Sequence, residues 1–446
     1  MHMIDRRRFT AGLGGLSVVA ASAGPFAKFA IAQGALKVVI VGGGPAGATV
    51  AVQLKRGDPK LDVTLIEPQS DYTTCFFSNH YIGGFRTFNS ITHDYRGLRG
   101  LGIRVIHATA TGIDTEHKRV SLGKKDELEY DRLVVAPGID LKYSTIEGYS
   151  EDAAQIMPHA WKGGAQTRLL KKKLDALDDG DVVVLGVPRN PYRCPPGPYE
   201  RACVIANHLK TRKPKSKLVI LDPKMTFSKQ PVFEEAFAKY YKDIIELNLS
   251  NDIDNFGVTR VDTRTGEVMT KAGKTVKAAL ANIVPDQKAG EIAHKAGLAE
   301  GDWCPVHLEN FTSKKAKDVY VLGDAAIADA MPKSAFSAHA QALVVASDIL
   351  SEAAGKERAS GHYRNTCWSL LAPGDSVKIG ADYAPGEVAG KPALAPSGPF
   401  VSKPGESAEV RKANYEESVA WYATLVGDIF VEGATPAGRK DLGSHD

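Results

Sequence analysis

The sequence contains neither a Cys-x-x-Cys pair nor a Cys-x-x-Cys-His motif, although it has five cysteines. The first absence argues against a zinc ribbon, and the second against haem attached covalently to this chain. No segment approaches about 18 uninterrupted apolar residues, so the sequence predicts no membrane-spanning helix. The odd number of cysteines leaves at least one of them outside any disulfide within the chain.

The chain also lacks a strong charge of either sign. Its net charge is +4 over 446 residues, and residues 1–32 carry four basic side chains against one acidic one. The remainder is therefore nearly neutral, which gives no support for nucleic-acid binding. A hydrophobic fraction of 43% and 43 glycines are ordinary for an α/β protein, and the length allows two or three domains.

Residues 1–32 resemble a twin-arginine export signal. The segment DRRRFTAGLGG places Arg6 and Arg7 before a modestly apolar run, and Ala30-Ile31-Ala32 is a small-x-small cleavage pattern. The alternative is a disordered, basic N-terminus. An export signal predicts that the protein reaches the bacterial periplasm, where disulfides persist.

Alternating apolar strands and helical segments predict an α/β fold built from two βαβ units. The first unit opens with KVVIV, a glycine turn and a helix, and the second opens with DVVVL at residues 181–185. After about residue 360, glycine, proline and serine become more frequent and the hydrophobic periodicity weakens. This change in composition indicates a separate, smaller C-terminal unit.

The segment GGGPAG is a dinucleotide-binding fingerprint in the expected context, between a strand and a helix. Gly42 permits the tight turn, Gly44 lets the backbone approach a pyrophosphate, and Gly47 lets helix and strand pack closely. Pro45 and Ala46 complete the turn, whose helix N-terminus favours phosphate. Near the end of the next strand, Glu67 is expected to accept hydrogen bonds from the adenosine ribose.

Two later segments, VVAPGID (residues 134–140) and VYVLGDAAI (residues 319–327), resemble the further fingerprints of glutathione-reductase-like flavoproteins. This resemblance implies FAD as the cofactor and two Rossmann-like domains. It places the following residues at the flavin: Ala136, Pro137, Gly138, Gly323, Asp324, and Lys333 and Ser334 at the start of a long helix. For Asp324 the alternative is a helix N-cap.

The second βαβ unit departs from the family pattern in its turn, GVPRNPYRCPPG (residues 186–197). Pro188 and Pro191 stand where a nicotinamide-binding fingerprint has its second and third glycines. Proline has no N–H to offer a phosphate, and its ring occupies the space that a close backbone approach needs. We therefore expect a second Rossmann-like domain without a nicotinamide site.

Three segments point to a more specific family within these flavoproteins: YTTCFFSNHYIGG (residues 72–84), YRCPPGPYERA (residues 192–202) and HYRNTCWSLL (residues 362–371). Together they resemble the flavoprotein subunit of flavocytochrome c sulfide dehydrogenase, whose broader relatives are the sulfide:quinone oxidoreductases. The likeness implies the following organisation: a signal peptide at 1–32, an FAD-binding domain at 33–147 and 285–360, a second Rossmann-like domain at 148–284, and a family-specific C-terminal domain at 361–446.

The resemblance assigns a role to three of the cysteines. Cys75 matches the position that forms a thioether to the flavin, and Cys194 and Cys367 match the redox-active disulfide. The alternatives are a buried structural cysteine at Cys75 and a purely structural disulfide between the other two. Cys203 and Cys304 are expected to be packing residues.

Glu200 matches the family's acidic residue proposed as a base for the sulfur substrate. A buried carboxyl has a raised pKa and can accept a proton near neutral pH. The alternative is a glutamate in the first turn of a helix, interacting with the helix dipole. Trp368, beside Cys367, is expected either to shield the flavin or to fill the core.

The activity implied is the FAD-dependent oxidation of sulfide to sulfur or polysulfide, beginning with attack of hydrosulfide on the disulfide. Since this chain has no haem-attachment motif, the expected electron acceptor is a c-type cytochrome subunit that carries the haem and forms a heterodimer with it. One alternative is a sulfide:quinone oxidoreductase, although such enzymes need an amphipathic C-terminal element that this chain does not show. Another is a flavin electron-transfer module that does not turn over sulfide.

Overall fold

The computed structural model describes residues 35–123, 126–251, 255–358 and 361–431. From Ala35 onward these residues belong to one compact unit. The predicted export signal at residues 1–32 lies outside the described residues, and so do residues 432–446 at the other end.

The strands of the described residues, in chain order, are β1 (Lys37–Val41), β2 (Asp62–Ile66), β3 (Asp71–Thr73), β4 (Thr92–Asp94), β5 (Arg104–Ile106), β6 (Gly112–Asp114), β7 (Arg119–Leu122), β8 (Asp126–Glu129), β9 (Arg132–Val135), β10 (Ile139–Leu141), β11 (Val182–Gly186), β12 (Lys217–Asp222), β13 (Ile245–Leu249), β14 (Val258–Asp262), β15 (Glu267–Thr270), β16 (Thr275–Lys277), β17 (Leu280–Ile283), β18 (Gln287–Ala289), β19 (Val319–Val321), β20 (Tyr363–Ala372), β21 (Asp375–Val388) and β22 (Lys391–Val401). The helices are α1 (Pro45–Gly57), α2 (Ser78–Ile82), α3 (Arg96–Gly100), α4 (Ala153–Ile156), α5 (Ala165–Asp175), α6 (Gly197–Arg212), α7 (Gln230–Tyr240), α8 (Glu291–Lys295), α9 (Ala335–Ala353) and α10 (Ala408–Phe430).

The first parallel sheet has the order β19-β9-β1-β2-β5. β1 lies at its centre, and its KVVIV sequence is buried at every position after Lys37. A continuous run of β-branched residues is what a strand covered on both faces requires. β1, β9 and β19 all end beside the glycine turn that precedes α1, so the three fingerprints predicted from the sequence meet at one edge of this sheet.

The second parallel sheet has the order β13-β12-β11-β17. β11 has the sequence VVVLG and is followed by the proline-containing loop and then by α6. Two parallel sheets with helical crossovers confirm the predicted α/β class with two Rossmann-like units.

The C-terminal segment forms an antiparallel sheet, β20-β21-β22, followed by the long helix α10. The end of α10 enters the same hydrophobic core as β1 and α1, through Leu425, Ile429 and Phe430. On the same helix, the Tyr422 hydroxyl lies 3.1 Å from Thr74 Oγ1. No described helix is long and apolar enough to cross a lipid bilayer.

Candidate active site

The glycine turn between β1 and α1 tolerates no side chain at two of its positions. Gly42 has φ +103°, and a Cβ there would lie 2.3 Å from the Ala136 carbonyl oxygen. A Cβ on Gly47 would lie 2.0 Å from the Gly42 carbonyl oxygen, so this glycine lets α1 pack against the turn. Both roles match those predicted from the sequence.

This turn forms part of an open cleft of about 790 Å³. The predicted cofactor residues that line it are Gly42, Gly44, Pro45, Ala46, Glu67, Cys75, Ala136, Pro137, Gly138, Gly323, Asp324 and Ser334. The Glu67 carboxylate accepts hydrogen bonds from the backbone N–H groups of Gly43 (2.9 Å) and Gln69 (3.0 Å). A carboxylate has further lone pairs, so contact with a ribose stays a prediction for Glu67.

Asp324 shows that the cleft fits a polar ligand. Its Oδ2 lies 3.5 Å from Nη1 of Arg193, whereas the buried Oδ1 has no hydrogen-bond partner among the described residues. A buried carboxylate oxygen without a donor is costly, and a ligand hydroxyl such as those of a ribityl chain would satisfy it. Asp324 is no helix N-cap, because its short turn is preceded by Leu322 and has no side-chain cap. The residues present therefore fit FAD.

A second, smaller cavity of about 100 Å³ continues from the cleft. The two cavities share four lining residues: Cys75, Arg193, Ser334 and Ala335. Beyond them, the smaller cavity is lined by Cys194, Cys367 and Glu200. We call it the cysteine chamber. The fold thus brings together the three residues predicted as catalytic, beside the predicted dinucleotide site.

Cys194 is held in an unusual backbone conformation. Its φ of +61° is left-handed, a region that side chains other than glycine, asparagine and aspartate rarely adopt. Its N–H donates to the Lys333 carbonyl (2.8 Å), and its own carbonyl accepts from the Gly197 N–H (2.8 Å). A Cβ on Gly197 would lie 2.9 Å from Cys194 Sγ, so the sulfur needs a glycine there. Burial, with Cys367 and Glu200 nearby, raises the pKa of the Cys194 thiol.

Cys367 approaches the chamber from the C-terminal sheet, on β20. Its Sγ lies 3.6 Å from Nδ2 of Asn365, whose Oδ1 accepts a hydrogen bond from the Ser334 hydroxyl (2.6 Å). Burial raises the pKa of the Cys367 thiol, and the Lys229 ammonium opposes that rise. All five cysteines are free thiols in this structure. The bond predicted between Cys194 and Cys367 is not formed, and their pairing stays a prediction.

Glu200 is in the first turn of α6, with its carboxylate held in the chamber. Oε1 accepts from the Leu370 N–H (2.9 Å) and Oε2 from the Asn79 amide (2.7 Å). Burial raises the pKa of this carboxyl. His80 lies 4.0 Å from Oε1, but burial lowers its pKa to about 3 and it is neutral near pH 7. A Glu200 carboxylate consequently has no charged histidine to pair with.

Three residues that sequence reasoning missed bring positive charge to the site: Lys229, Arg193 and the buried Arg201, which lines the chamber and donates to the Asn79 side chain (3.0 Å). Lys229 donates to the Cys367 carbonyl (3.1 Å) and to the Ser369 hydroxyl (2.8 Å), and burial lowers its pKa to about 8. Arg193 lines both cavities and donates to the Trp161 carbonyl. Arg193 is next to Cys194 in the sequence and could have been suspected. Nothing in the sequence around Lys229 distinguishes it from other lysines.

Lys333 was expected at the flavin, but it is not among the residues that line either cavity. Its ammonium donates to the carbonyls of Asp324 (2.8 Å) and Ala326 (2.7 Å) and lies 3.8 Å from the centre of the Trp303 ring. The Lys333 backbone carbonyl also accepts a hydrogen bond from the Cys194 N–H, and a contact between Lys333 and the flavin stays a prediction. Ser334, by contrast, lines both cavities and caps α9 by accepting from the Ser337 N–H (3.0 Å).

Cys203 and Cys304 are found where they were expected, whereas the roles of Cys75 and Trp368 stay predictions. Cys203 and Cys304 are buried in hydrophobic clusters, which confirms them as packing residues. Trp368 lines the chamber with its ring 5.2 Å from that of Trp421, and its Nε1 donates to Glu417. Cys75 lines both cavities, and burial raises the pKa of its thiol.

Three family profiles match parts of the chain. The profile of the central part of the sulfide dehydrogenase [flavocytochrome c] flavoprotein chain matches residues 167–285. That of the flavin-binding part of flavocytochrome c sulphide dehydrogenase matches residues 359–430. The pyridine nucleotide-disulphide oxidoreductase profile matches residues 36–186.

Proteins with similar sequences include a sulfide dehydrogenase flavoprotein chain and sulfide:quinone oxidoreductases. The sulfide dehydrogenase [flavocytochrome c] flavoprotein chain of Chlorobaculum thiosulfatiphilum is 50% identical over 46 residues, which are 10% of this chain and 96% of that sequence. The sulfide-quinone reductase of Aquifex aeolicus is 31% identical over 182 residues, 39% of this chain and 40% of that protein. The mitochondrial sulfide:quinone oxidoreductase of Dictyostelium discoideum is 23% identical over 295 residues, 65% of each chain. The chain thus spans less than two thirds of these two longer relatives.

The fold has a counterpart among solved structures. The sulfide:quinone oxidoreductase structure from Aquifex aeolicus superposes with a TM-score of 0.66 at 20% identity, covering 90% of this chain and 93% of that one. At this identity the likeness concerns the fold alone.

Proposed function

Because the chain belongs to the family of flavocytochrome c sulfide dehydrogenase flavoprotein chains, we propose that it oxidises sulfide to sulfur or polysulfide and passes the electrons to a c-type cytochrome. The observation that carries the proposal is the junction of the two cavities. Cys194, Cys367 and Glu200 line a chamber that shares four residues with a cleft fitted to FAD. Two thiols and a carboxylate beside a redox cofactor suit a two-electron oxidation of a small sulfur anion.

The reaction begins with the two cysteines joined as a disulfide. Hydrosulfide attacks one sulfur, the bond between Cys194 and Cys367 breaks, and a new S–S bond forms. The attacked cysteine then carries a persulfide, and its former partner leaves as a thiolate with the electron pair of the broken bond. FAD, when bound, accepts the two electrons that sulfide loses in becoming zero-valent sulfur.

Glu200 and Lys229 supply the proton acceptor and the positive charge that these sulfur anions need. The Glu200 carboxylate, fixed by Leu370 and Asn79, takes the proton of the persulfide at one of its oxygens. The Lys229 ammonium, anchored on the backbone of Cys367, favours a thiolate in the chamber. Ser334 and Asn365 hold the Cys367 sulfur in position.

Three finer features also belong to the proposal. Cys75 lines the junction of the cavities and forms a thioether to the flavin, which keeps the cofactor bound. The haem is on a separate cytochrome chain, which forms a heterodimer with this one. Residues 1–32 direct export to the periplasm by the twin-arginine route, and removal of the signal leaves Gln33 as the first residue.

The choice of electron acceptor tests the proposal against a sulfide:quinone oxidoreductase. The full chain is purified with its flavin, and sulfide oxidation is followed with a c-type cytochrome or with a short-chain quinone as acceptor. We expect cytochrome reduction at a rate well above that of the quinone. A reaction that proceeds with quinone but not with cytochrome would contradict the cytochrome assignment. If neither of the two acceptors supports sulfide oxidation, no turnover occurs, and the electron-transfer module is the better account.

A further inference from the structure

A third cavity, lined mostly by apolar groups, opens beside Cys367. It is a surface groove of about 450 Å³, and none of its described lining residues carries a charge. One wall is the C-terminal sheet, with Ile379, Phe400 and Val401. The opposite wall includes Pro195 and Pro196, which follow Cys194 in the loop. The groove therefore lies between the two chain segments that carry the proposed redox cysteines.

Strand register places Cys367 on the same face of the C-terminal sheet as other groove residues. Cys367 pairs with Ile379, and Asn365 pairs with Ala381, so all four residues share one face of the sheet. Each of them lines the groove. Among the described residues, Cys367 is the one that lines both this groove and the cysteine chamber. Cys194 lines the chamber but is not among the groove residues.

Two large apolar side chains that line the groove are exposed. Phe400 is 41% exposed and Val401 is 46% exposed, although both are at the end of an ordered strand. The Phe400 ring lies against Gly380, where a Cβ would come within 2.5 Å of it. A largely apolar, uncharged groove with a thiol in its lining suits a ligand that is apolar and bonded to sulfur.

We propose that this groove holds the apolar chain of zero-valent sulfur attached to Cys367 and provides its route out of the protein. This inference rests on the proposed function, which supplies the sulfur atoms. The chain leaves when the Cys194 thiolate attacks the Cys367 sulfur. The bond between that sulfur and the chain breaks, the disulfide between the cysteines forms, and the chain departs as a hydropolysulfide anion with its terminal proton and the electron pair of the broken bond.

The two cysteines thus have different surroundings and different tasks. Cys194 lines the chamber alone, whereas Cys367 also lines the groove, which gives a sulfur chain space. The chain grows when the Cys194 thiolate and the terminal sulfur on Cys367 join, with two electrons passing to the bound flavin and the terminal proton released. The next hydrosulfide attacks the bridging sulfur bonded to Cys194, which leaves as a thiolate, and the chain on Cys367 is one sulfur longer. The prolines at 195 and 196 contribute apolar surface without N–H groups. The loss of a nicotinamide site accounts for Pro188 and Pro191 but not for Pro195 and Pro196. A place in the groove wall gives these two prolines a role.

Thiol labelling tests the route without depending on sulfide turnover. The full chain with bound flavin is first reduced, then treated with N-phenylmaleimide, an uncharged apolar reagent, and the labelled peptides are quantified by mass spectrometry. V401W fills the groove and should slow labelling of Cys367 by about tenfold, equivalent to roughly 1.4 kcal/mol of barrier. Labelling of Cys194 should change little. V410W, at a valine that is 47% exposed on α10 and does not line the groove, is the matched control.

A second variant, with the opposite expected effect on the labelling rate, distinguishes a change in the groove from misfolding. F400A opens the groove and should speed the labelling of Cys367, whereas a merely destabilised protein would label all its cysteines faster. Labelling of Cys367 that is unchanged in both V401W and F400A overturns the route. A change in the labelling rate of Cys194 as large as that of Cys367 would also overturn the route.

The occupant is tested after repeated turnover with sulfide. In V401W, we expect the Cys367 peptide to show altered retention of added sulfur atoms relative to wild type and V410W, detected as multiples of the mass of sulfur. Identical sulfur distributions in the three proteins would overturn the groove as the outlet. If sulfide fails to reduce the flavin of the wild-type protein, the proposed function fails and the sulfur chain with it, and the labelling pattern still decides whether the groove leads to Cys367.

Discussion

The ammonium of Lys229 donates a 3.1 Å hydrogen bond to the backbone carbonyl of Cys367. This contact ties the start of α7, in the second Rossmann-like unit, to the C-terminal sheet. It also brings a buried positive charge close to the chamber, whose lining includes three thiols and a carboxyl group. Lys229 thereby links the packing of the C-terminal segment to the reactivity of the sulfur site.

Replacing Lys229 with glutamine should make Cys367 less reactive. Burial lowers the pKa of Lys229 to about 8, so its charge is present below that pH and is lost as the pH rises through it. Lys229 opposes the raised pKa of the Cys367 thiol, and its removal should slow alkylation of reduced Cys367 by about threefold to tenfold at pH 7.

The difference between K229Q and wild type should shrink above pH 8, where the wild-type lysine loses its proton. K210Q is the control, because Lys210 also donates to a backbone carbonyl, that of Tyr240, but is exposed. Alkylation rates of K229Q that match wild type across the pH range would contradict an electrostatic role for Lys229.

Replacing Glu200 with glutamine should remove the proton acceptor. We expect the rate of flavin reduction by sulfide to fall by about hundredfold or more. In the wild type, the same rate should fall below the pKa of Glu200, which burial raises above the usual glutamate value. E200Q should lose that acid limb. E409Q is the control for the helix-dipole alternative, because Glu409 is in the first turn of α10 and is exposed.

Thermal unfolding gives a second measurement on Glu200. A raised pKa means that the folded state binds more protons than the unfolded state between the two pKa values, so this carboxyl destabilises the protein as the pH rises through that window. E200Q should therefore gain stability relative to wild type on going from pH 4 to pH 8. A stability difference that is constant with pH would contradict the raised pKa.

Replacing Gly44 with valine should weaken FAD binding without unfolding the protein. Gly44 lines the cleft, and its nearest neighbour to an added Cβ is the Tyr72 side chain at 3.3 Å. The larger side chain would occupy the space that the pyrophosphate needs, and we expect a loss of at least about tenfold in affinity, measured by flavin fluorescence after dialysis. G100V, at a helical glycine with open space around it, should retain the flavin.

Replacing Cys75 with alanine should convert covalently bound flavin into flavin released by acid. When the wild-type protein is precipitated with acid, the precipitate should stay yellow because the flavin remains attached. Mass spectrometry should find the flavin on the peptide that contains Cys75. C304A, which removes a cysteine buried in the core, should keep the flavin attached. A colourless wild-type precipitate would show that the thioether does not form.

The first Rossmann-like unit could be predicted in detail because its signal is local. A β-branched strand, the glycine turn and the helix are consecutive, and the need for glycine at Gly42 and Gly47 follows from contacts within that unit. The cysteine chamber is different, since Cys194 and Cys367 come from distant segments and only the packed fold brings them together. The contacts of the Lys333 side chain depend in the same way on the packed fold, because they are made with two carbonyl groups and with Trp303.

The secondary structure of the C-terminal segment could not be predicted from its apolar pattern. The buried face of α10 repeats every three or four residues, but its first three members are Arg411, Asn414 and Ser418, so the apolar pattern begins only near Tyr422. β22 contains several prolines, which argue against a strand. It is nonetheless paired on one side alone, with β21, and prolines are tolerated on an edge strand.

The central claim is that sulfide reduces the flavin through Cys194 and Cys367. The most direct measurement is anaerobic stopped-flow mixing of the oxidised holoprotein with sulfide, following the visible absorbance of the flavin. Wild type and C203A should bleach, whereas C194A and C367A should not, although dithionite bleaches all four. Bleaching of either chamber variant at the wild-type rate, or a wild-type flavin that sulfide leaves oxidised, would contradict the account.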